Sequence, residues 1–592
     1  MQFAELVAAY EKLEATTKRL EMRRLLVELI RAAPPDELPE VLYLSQGLLR
    51  PEYEGVELGV ADSLVRRAIA DATGTTGEVV AQRARENGDL GTTVAALLEV
   101  HRRVASSSRS VGEVYARFGD LARSSGEGSQ EVKVQRLVEL IAGSTPLEAK
   151  YIVRFALGML RLGVREMTIL DGLAEAYGSG LPGARARIEA SFNVCSDLGL
   201  VAQTLAEHGV GGLDRIHLTV GRPVRSMLAE RSPDLADVLK RMEGRAALEY
   251  KYDGIRVQAH VPAEGTPMLF SRRLENISGQ FPELIRDLPN ALRRRPAIVE
   301  GECVSVDPDT EELRPFQEIS RRRGRKHDLE RMQSEVPVRL FLFDVLLEGE
   351  ESTLALDFLD RRRRLESLVA DTDRIRRATQ RIVSTVEEAT EFFDQSISDG
   401  CEGVMAKSVA PGSSYRAGAR GFWWIKYKRE YTQALADSID GVVVGGFYGR
   451  GRRAGSYGAL LMAAYDPELD RFQSFCKVGS GFDDALLAEL PRRLKPFELR
   501  EHPTAVETGL TPDVWMRPGL VLELRGAELS LSPIHRAAFG RVRAGAGFAL
   551  RFPRFTGRFR DDKAPTQATS SQELLGMYRS QVRKAQADAP DP

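Results

Sequence analysis

Apolar residues in the first third of the chain recur at helical spacing. Leu6, Tyr10, Leu13, Leu20, Leu25 and Leu29 follow such a period, as do the stretches 132–141 and 148–160. Between those stretches lies the break Ala142-Gly143-Ser144-Thr145-Pro146. Gly143 suits a helix end, and Thr145-Pro146-Leu147-Glu148 has the form of a capping box with proline at the first helical position. Strand-like alternation is scarce before about residue 215, which predicts an all-α domain over 1–217. The character shifts around Val220-Gly221-Arg222-Pro223-Val224. Residues 246–261, 297–306, 337–347 and 401–407 read as strands separated by helices and loops, an α+β domain over 218–436. Near Ser438 a third region opens with Gly441-Val442-Val443-Val444-Gly445-Gly446-Phe447. Its glycines and short strands fit a β-barrel over 437–592. The polar tail after about Gln581 is expected to be disordered.

Composition narrows the class. The 592 residues, 43% hydrophobic and 28% charged, are those of a globular multidomain protein. No apolar run is long enough to span a membrane, and the N-terminus lacks the basic-then-apolar pattern of a secretory signal. Cys195, Cys303, Cys401 and Cys476 are scattered, as are the seven histidines. Neither a disulfide framework nor a zinc site is expected, and a reducing cytoplasm fits. Net charge is −2, so any surface for nucleic acid must be a local one.

The candidate chemistry starts at Leu248-Glu249-Tyr250-Lys251-Tyr252-Asp253-Gly254-Ile255-Arg256. A lysine stands at the end of a predicted strand with an acid two residues to either side. An amine attacks an α-phosphate only as the free base, so the site must lower its pKa or take its proton. Gly254 lets the backbone approach a nucleotide closely. Lys-x-Asp-Gly alone is a weak motif, but charge gathers on one face of other predicted strands as well. Glu249, Lys251 and Asp253 share parity; so do Glu300 and Glu302, and Trp424, Lys426 and Lys428. Several such segments, tens of residues apart, suit a charged cavity better than unrelated wet faces.

Taken in order, the segments resemble the ATP-dependent DNA ligases of the covalent nucleotidyltransferase superfamily, in the prokaryotic form with an N-terminal helical domain. The set runs from Glu249–Arg256 through Phe270-Ser271-Arg272-Arg273, Val299-Glu300-Gly301-Glu302 and Phe341-Leu342-Phe343-Asp344. It continues with Cys401-Glu402-Gly403-Val404-Met405-Ala406-Lys407 and Trp424-Ile425-Lys426-Tyr427-Lys428, and closes on Arg551-Phe552-Pro553-Arg554-Phe555 and Arg558-Phe559-Arg560-Asp561-Asp562-Lys563. Leu147–Arg154, Leu160–Val164 and Gly221–Ala229 extend the resemblance toward the N-terminus, so it covers almost the whole chain. Thr556-Gly557 makes the segment before Arg558 one residue longer than the family pattern, which touches the register of Arg558.

The resemblance implies a helical DNA-binding domain, an adenylation domain and an OB-fold domain. It implies sealing of nicked duplex DNA in replication, repair or recombination, with ATP as cofactor and Mg2+, or Mn2+ in its place. Lys251 would form lysyl-AMP. AMP would then pass to the 5′-phosphate, and the 3′-hydroxyl would displace it to make the phosphodiester. Glu249 would accept from the adenine amino group and Phe343 would stack on the base. Arg256, Arg272 and Arg420 would donate to phosphate or ribose oxygens. Glu302 and Glu402 would be metal ligands, Glu302 also lining the ATP site. Lys426 and Lys428 would neutralise the α-phosphate, with Lys407 a weaker member. Arg560, Asp562 and Lys563 would orient pyrophosphate from a mobile barrel hinged near Tyr431 to Asp437. Ser144, Thr145, Arg161 and Gly163 are candidate DNA contacts, with Gly449–Arg453 and Lys477–Gly481 as further phosphate contacts. Arg321–Lys326 reads as a solvated helix end. The expected state is a monomer in the cytoplasm, associated with the nucleoid, with room for a sliding clamp as partner.

Three relatives share the lysine chemistry. An NAD-dependent ligase carries a four-cysteine zinc module that these cysteines do not make. An mRNA capping guanylyltransferase lacks the long helical segment, and an RNA ligase is smaller and differently extended. A catalytically silent DNA clamp would not need Lys251, Glu302, Glu402, Lys426 and Lys428 intact.

Overall fold

A computed structural model of the chain describes residues 1–100, 109–306, 313–314, 316–322, 324, 329–428, 438–448, 456–526, 528–532, 534–542, 544–551 and 553–587. It divides into two compact units. The first comprises Met1–Glu230, Arg241–Val383 and Ala406–Ile425; the second comprises Arg231–Lys240, Ser384–Met405 and Lys426–Pro592.

The first unit begins with helices from Phe3–Glu14 to Leu198–His208 and no strand among the described residues before Leu228. They bury one continuous apolar core that includes Leu6, Tyr10, Leu13, Leu25 and Leu29. Leu20 departs from the expected pattern and is 73% exposed. The chain leaves the first helix at Glu14 and starts the next at Arg19, which resets the helical phase and turns Leu20 away from Met22, Leu25, Leu26 and Leu29. The predicted capping box is present: Glu148 N donates to Thr145 Oγ1 at 3.3 Å, and Thr145 N donates to Glu148 Oε2 at 2.8 Å. The helix it starts, Pro146–Ala156, ends before Leu160, where Gly158 takes a left-handed φ of 65°.

The rest of the first unit is α+β, as predicted. Its strands are β1 (Leu228–Arg231), β2 (Ala246–Lys251), β3 (Ile255–Val261), β4 (Met268–Ser271), β5 (Ala297–Ser305), β6 (Val338–Glu348), β7 (Glu351–Ser352), β8 (Ile375–Arg377), β9 (Gln380–Val383), β10 (Gly403–Ser408) and β11 (Arg420–Lys428). One sheet has the order β1-β11-β10-β2-β9, the other β4-β3-β5-β6-β7 with β8 on β6. Strands β10 and β11 also contribute residues to the second unit. The single strand expected over 246–261 is therefore two, belonging to different sheets. The chain crosses between them at Tyr252-Asp253-Gly254, and a Cβ at Gly254 would lie 2.2 Å from the Cys303 carbonyl oxygen. Only glycine fits there. Helices Pro282–Ala291 and Phe358–Leu368 pack Leu284, Leu288 and Leu365 into the core of the second sheet.

In the second unit the strands are β12 (Ile439–Tyr448), β13 (Tyr457–Asp466), β14 (Arg471–Val478), β15 (Glu498–Leu499), β16 (Val506–Glu507), β17 (Val514–Met516), β18 (Val521–Arg525), β19 (Glu528–Ser532), β20 (Gly547–Arg551) and β21 (Arg554–Phe559). Strand β12 is their spine, pairing β13 along one edge and β17 and β18 along the other. Such shared edges curl the sheet. Ile439 and Val443 face one apolar cluster, Val442 and Val444 another, so both faces of the apolar run are buried. The extra residue at Thr556-Gly557 is taken up as a bulge: Leu524 pairs Phe555 and Leu522 pairs Phe559, with Gly557 at φ 92°.

Helix Ser571–Ala587 runs through Gln581, whose side-chain amide exchanges hydrogen bonds with the Leu529 backbone at 3.1 and 3.2 Å. One expectation is corrected. Arg322, read as part of a solvated helix end, is buried, paired with Glu283 and lying over the Phe281 ring. All four cysteines are buried, and none is in a disulfide.

Candidate active site

Lys251 is the last residue of β2 and is half-buried, while Glu249, two residues earlier on the strand, is buried. Glu249 accepts from Gln380 Nε2 at 3.1 Å and pairs with Lys407 Nζ at 2.7 Å, with Arg362 at 3.6 Å. Lys407 comes from β10, next to β2 in the sheet. It also donates to the Phe343 carbonyl at 3.1 Å, and its ammonium lies over the Phe343 and Trp424 rings at 4.8 and 4.4 Å. Burial pulls the Lys407 ammonium below its ordinary range, against Glu249 and Asp344, which favour its charge. The weaker member of the sequence motif is thus a buried cation tied to two candidate base-recognition residues.

Phe343 stands half-buried on β6, edge-on to Trp424 at 6.0 Å. Arg256 packs over the same two rings at 5.3 and 5.5 Å. Its Nη2 donates to Glu300 at 2.7 Å and its Nη1 to the Met227 carbonyl at 3.0 Å, while its buried Nε has no hydrogen-bond partner. Burial works against the Arg256 charge, but Glu300 and Tyr415 hold its pKa above the ordinary value. Glu300 also accepts from Tyr415 at 2.8 Å and from Ser226 and Gln258 at 3.2 Å. The two acids of β5 therefore differ: Glu300 is buried and saturated, whereas Glu302 is half-buried, facing Arg256 in the strand register. Tyr415 had no motif to announce it.

Arg272 and Arg420 are exposed. Lost hydration, with Arg256 and Arg420 as like charges nearby, pulls Arg272 below its ordinary value, opposed by Glu302. These four residues of the first unit share one electrostatic environment. Asp253 is not on a strand; its Oδ2 accepts from the Phe316 backbone at 3.3 Å.

In the second unit Glu402 pairs with Lys428 at 2.7 Å, and Lys426 is half-buried on β11. A Cβ at Gly403, beside Glu402, would lie 2.3 Å from the Tyr427 carbonyl. Arg560 donates to both oxygens of Asp562, at 2.9 and 2.8 Å. Lys563 pairs with Asp440 at 2.6 Å. Among the described residues no group of three or more His, Cys, Asp or Glu gathers for a metal ion. Glu302 in the first unit and Glu402 in the second each carry a carboxylate, the type of hard oxygen donor that Mg2+ takes.

Several of the candidate DNA contacts have intramolecular roles. Ser144 is buried and donates to the Leu140 carbonyl at 2.6 Å, and Thr145 caps its helix. Arg161, at φ 61°, pairs with Asp89 at 3.2 Å, and Gly163 has φ 68°. Lys477 lies over the Phe447 ring at 3.7 Å. The proposed hinge and Gly449–Arg453 fall outside the described residues.

Comparison with known proteins extends this picture. Residues 2–174 match the family model of the DNA ligase N terminus, 226–428 that of the ATP dependent DNA ligase domain, and 453–563 that of the ATP dependent DNA ligase C terminal region. The chain is 47% identical over 597 residues to DNA ligase 2 of Thermofilum pendens, covering 99% of this chain and 98% of that one. It is 43% identical to the DNA ligase of Aeropyrum pernix, covering 100% of both. A solved structure described as Pmar-Lig_Pre has a TM-score of 0.54 at 18% identity, covering 94% of this chain and 99% of its own, which speaks to the fold alone. No helix among the described residues is long and apolar enough to cross a membrane. With full-length relatives on one side and all three family models in order on the other, the chain belongs to the ATP-dependent DNA ligases.

Proposed function

We propose that Lys251 is the nucleophile with which this ATP-dependent DNA ligase seals nicks in duplex DNA. Its Nζ forms a bond to the α-phosphorus of ATP, loses a proton, and the bond to pyrophosphate breaks. AMP then moves to the 5′-phosphate of the nick and leaves when the 3′-hydroxyl attacks. The observation that carries this reading is the cluster of buried Glu249, Lys407 and Trp424 with half-buried Phe343, near the end of the strand that Lys251 closes. An acid able to accept from an amino group, fixed beside an aromatic ring, fits recognition of adenine.

The other roles follow from residue chemistry. Arg256, Arg272 and Arg420 donate to ribose or phosphate; the unpartnered Nε of Arg256 is a free donor for that purpose. Lys426 and Lys428 offset the charge of the α-phosphate, and Arg560 and Lys563 orient pyrophosphate, with Asp562 bracing Arg560. Glu302 and Glu402 would hold Mg2+ or Mn2+, which when bound neutralises phosphate charge. The domains are proposed at 1–217 for DNA binding, 218–436 for adenylation and 437–592 for the OB-fold. In the first of these Ser144, Thr145, Arg161 and Gly163 would lie near the DNA backbone. A monomeric state, a sliding-clamp partner and a cytoplasmic, nucleoid-associated location are proposed from the same family membership.

The test is incubation with α-labelled ATP, with labelled NAD and GTP as controls, followed by peptide mass spectrometry. Label from ATP alone, attached as AMP to Lys251, is expected. Lys251→Ala should take no label and seal no nick, yet still retard nicked DNA in a gel. Adenylate on any other residue, or sealing by the variant, sinks the assignment.

A further inference from the structure

One carboxylate holds two of the cations just assigned to pyrophosphate. Asp440 lies at the start of β12, with its side chain only 8% exposed. Its Oδ2 accepts from Arg560 Nη1 at 2.8 Å and from Lys563 Nζ at 2.6 Å, partners 120 and 123 residues away in sequence. The remaining edge of the Arg560 guanidinium is taken by Asp562. The backbone on both sides is fixed. Asp440 N donates to Thr569 Oγ1 and Thr569 N to the Asp440 carbonyl, each at 3.0 Å. Arg560 N donates to the Val521 carbonyl at 2.9 Å. The second oxygen of Asp440 is buried without a hydrogen-bond partner, so the hydrogen bonds this side chain accepts all come from the two cations.

Two like charges brought to one oxygen separate when that oxygen loses its charge. A leaving group bearing several negative charges is best met by donors already fixed where the charge develops. We propose that Asp440 is a positioning residue for ATP activation: it holds Arg560 and Lys563 at one spacing, as a two-pronged clamp for departing pyrophosphate. It takes no proton and touches no substrate. The inference rests on the pyrophosphate role assigned above to Arg560 and Lys563. It also predicts the reverse reaction, because attack of pyrophosphate on lysyl-AMP passes through the same transition state.

Asp440→Asn, Asp440→Glu, Arg560→Ala and the double variant Asp440→Asn/Lys563→Met are to be compared as full-length enzymes. Three single-turnover assays are read: adenylation by ATP, release of ATP from the adenylated enzyme by pyrophosphate, and sealing of a pre-adenylated nick. Asp440→Asn should slow the first two by about tenfold or more and change the third by less than about twofold. Asp440→Glu should recover part of the loss, and adding Lys563→Met should cost little more, since the two act as a unit. If Arg560→Ala impairs adenylation while Asp440→Asn does not, the role of Asp440 is refuted and the pyrophosphate reading stands. If Arg560→Ala spares adenylation too, that underlying reading fails. Equal losses in all three assays with a lowered Tm reduce Asp440 to a structural ion pair, and faster adenylation by Asp440→Asn refutes the proposal outright.

Discussion

Glu249 and Lys407 stand in separate motifs, and only the pairing of β2 with β10 brings them to 2.7 Å. Asp440 sits at the head of an apolar run with no motif around it, so nothing local marks it as the partner of Arg560. Arg361 is the first of four consecutive arginines on helix Phe358–Leu368. It is fully buried and donates to Asp344 at 2.9 and 3.3 Å and to the Leu356 and Ser413 carbonyls at 2.7 and 3.0 Å. Removing one member of a buried pair strands the charge of the other, at a cost of about 3–5 kcal/mol. Arg361→Met should therefore lower the urea midpoint far more than Arg363→Met, whose side chain is exposed. Equal midpoints would mean that Asp344 finds water or another donor.

Among elements, those specified by nearby residues were read from the chain and those specified by distant ones were not. The cap of helix Pro146–Ala156 needs only Thr145, Pro146 and Glu148, and it forms as its four-residue pattern predicts. Thr145→Ala should cost about 1 kcal/mol by chemical denaturation, and Thr145→Ser should restore most of it. No loss in the alanine variant would show that Glu148 caps the helix unaided. The division of 246–261 into β2 and β3 was hidden because both halves are apolar enough to be one strand. What separates them is the approach of the Cys303 carbonyl to Gly254, a contact made some fifty residues along the chain. A similar long-range tie lies near the end of helix Ser571–Ala587, where the Gln581 side chain bonds the backbone of Leu529.

At the scale of the whole molecule, one of the places where acid reaches the helical part is the charge cluster around Glu14. Burial opposes the charge of Glu14, but Arg154, Lys150 and Tyr151 donate to it and bring its pKa from 4.5 down to about 2. Its folded-state pKa is thus depressed. The stabilisation is complete above about pH 4.5 and is lost as pH falls toward about 2. Glu14→Gln should flatten the acid-unfolding curve in that window by circular dichroism, and superimposable curves would show that the cluster does not feel the proton. The burial of the cysteines has a practical consequence for following how the enzyme moves. Burial pushes the Cys195 thiol up to about 12 and those of Cys303 and Cys476 well above their usual range. A thiol-reactive dye should leave the native enzyme almost unlabelled within minutes and modify all four sites in denaturant. One cysteine engineered on each unit would then give a pair of labels whose separation can be followed during turnover, with no native thiol to remove first.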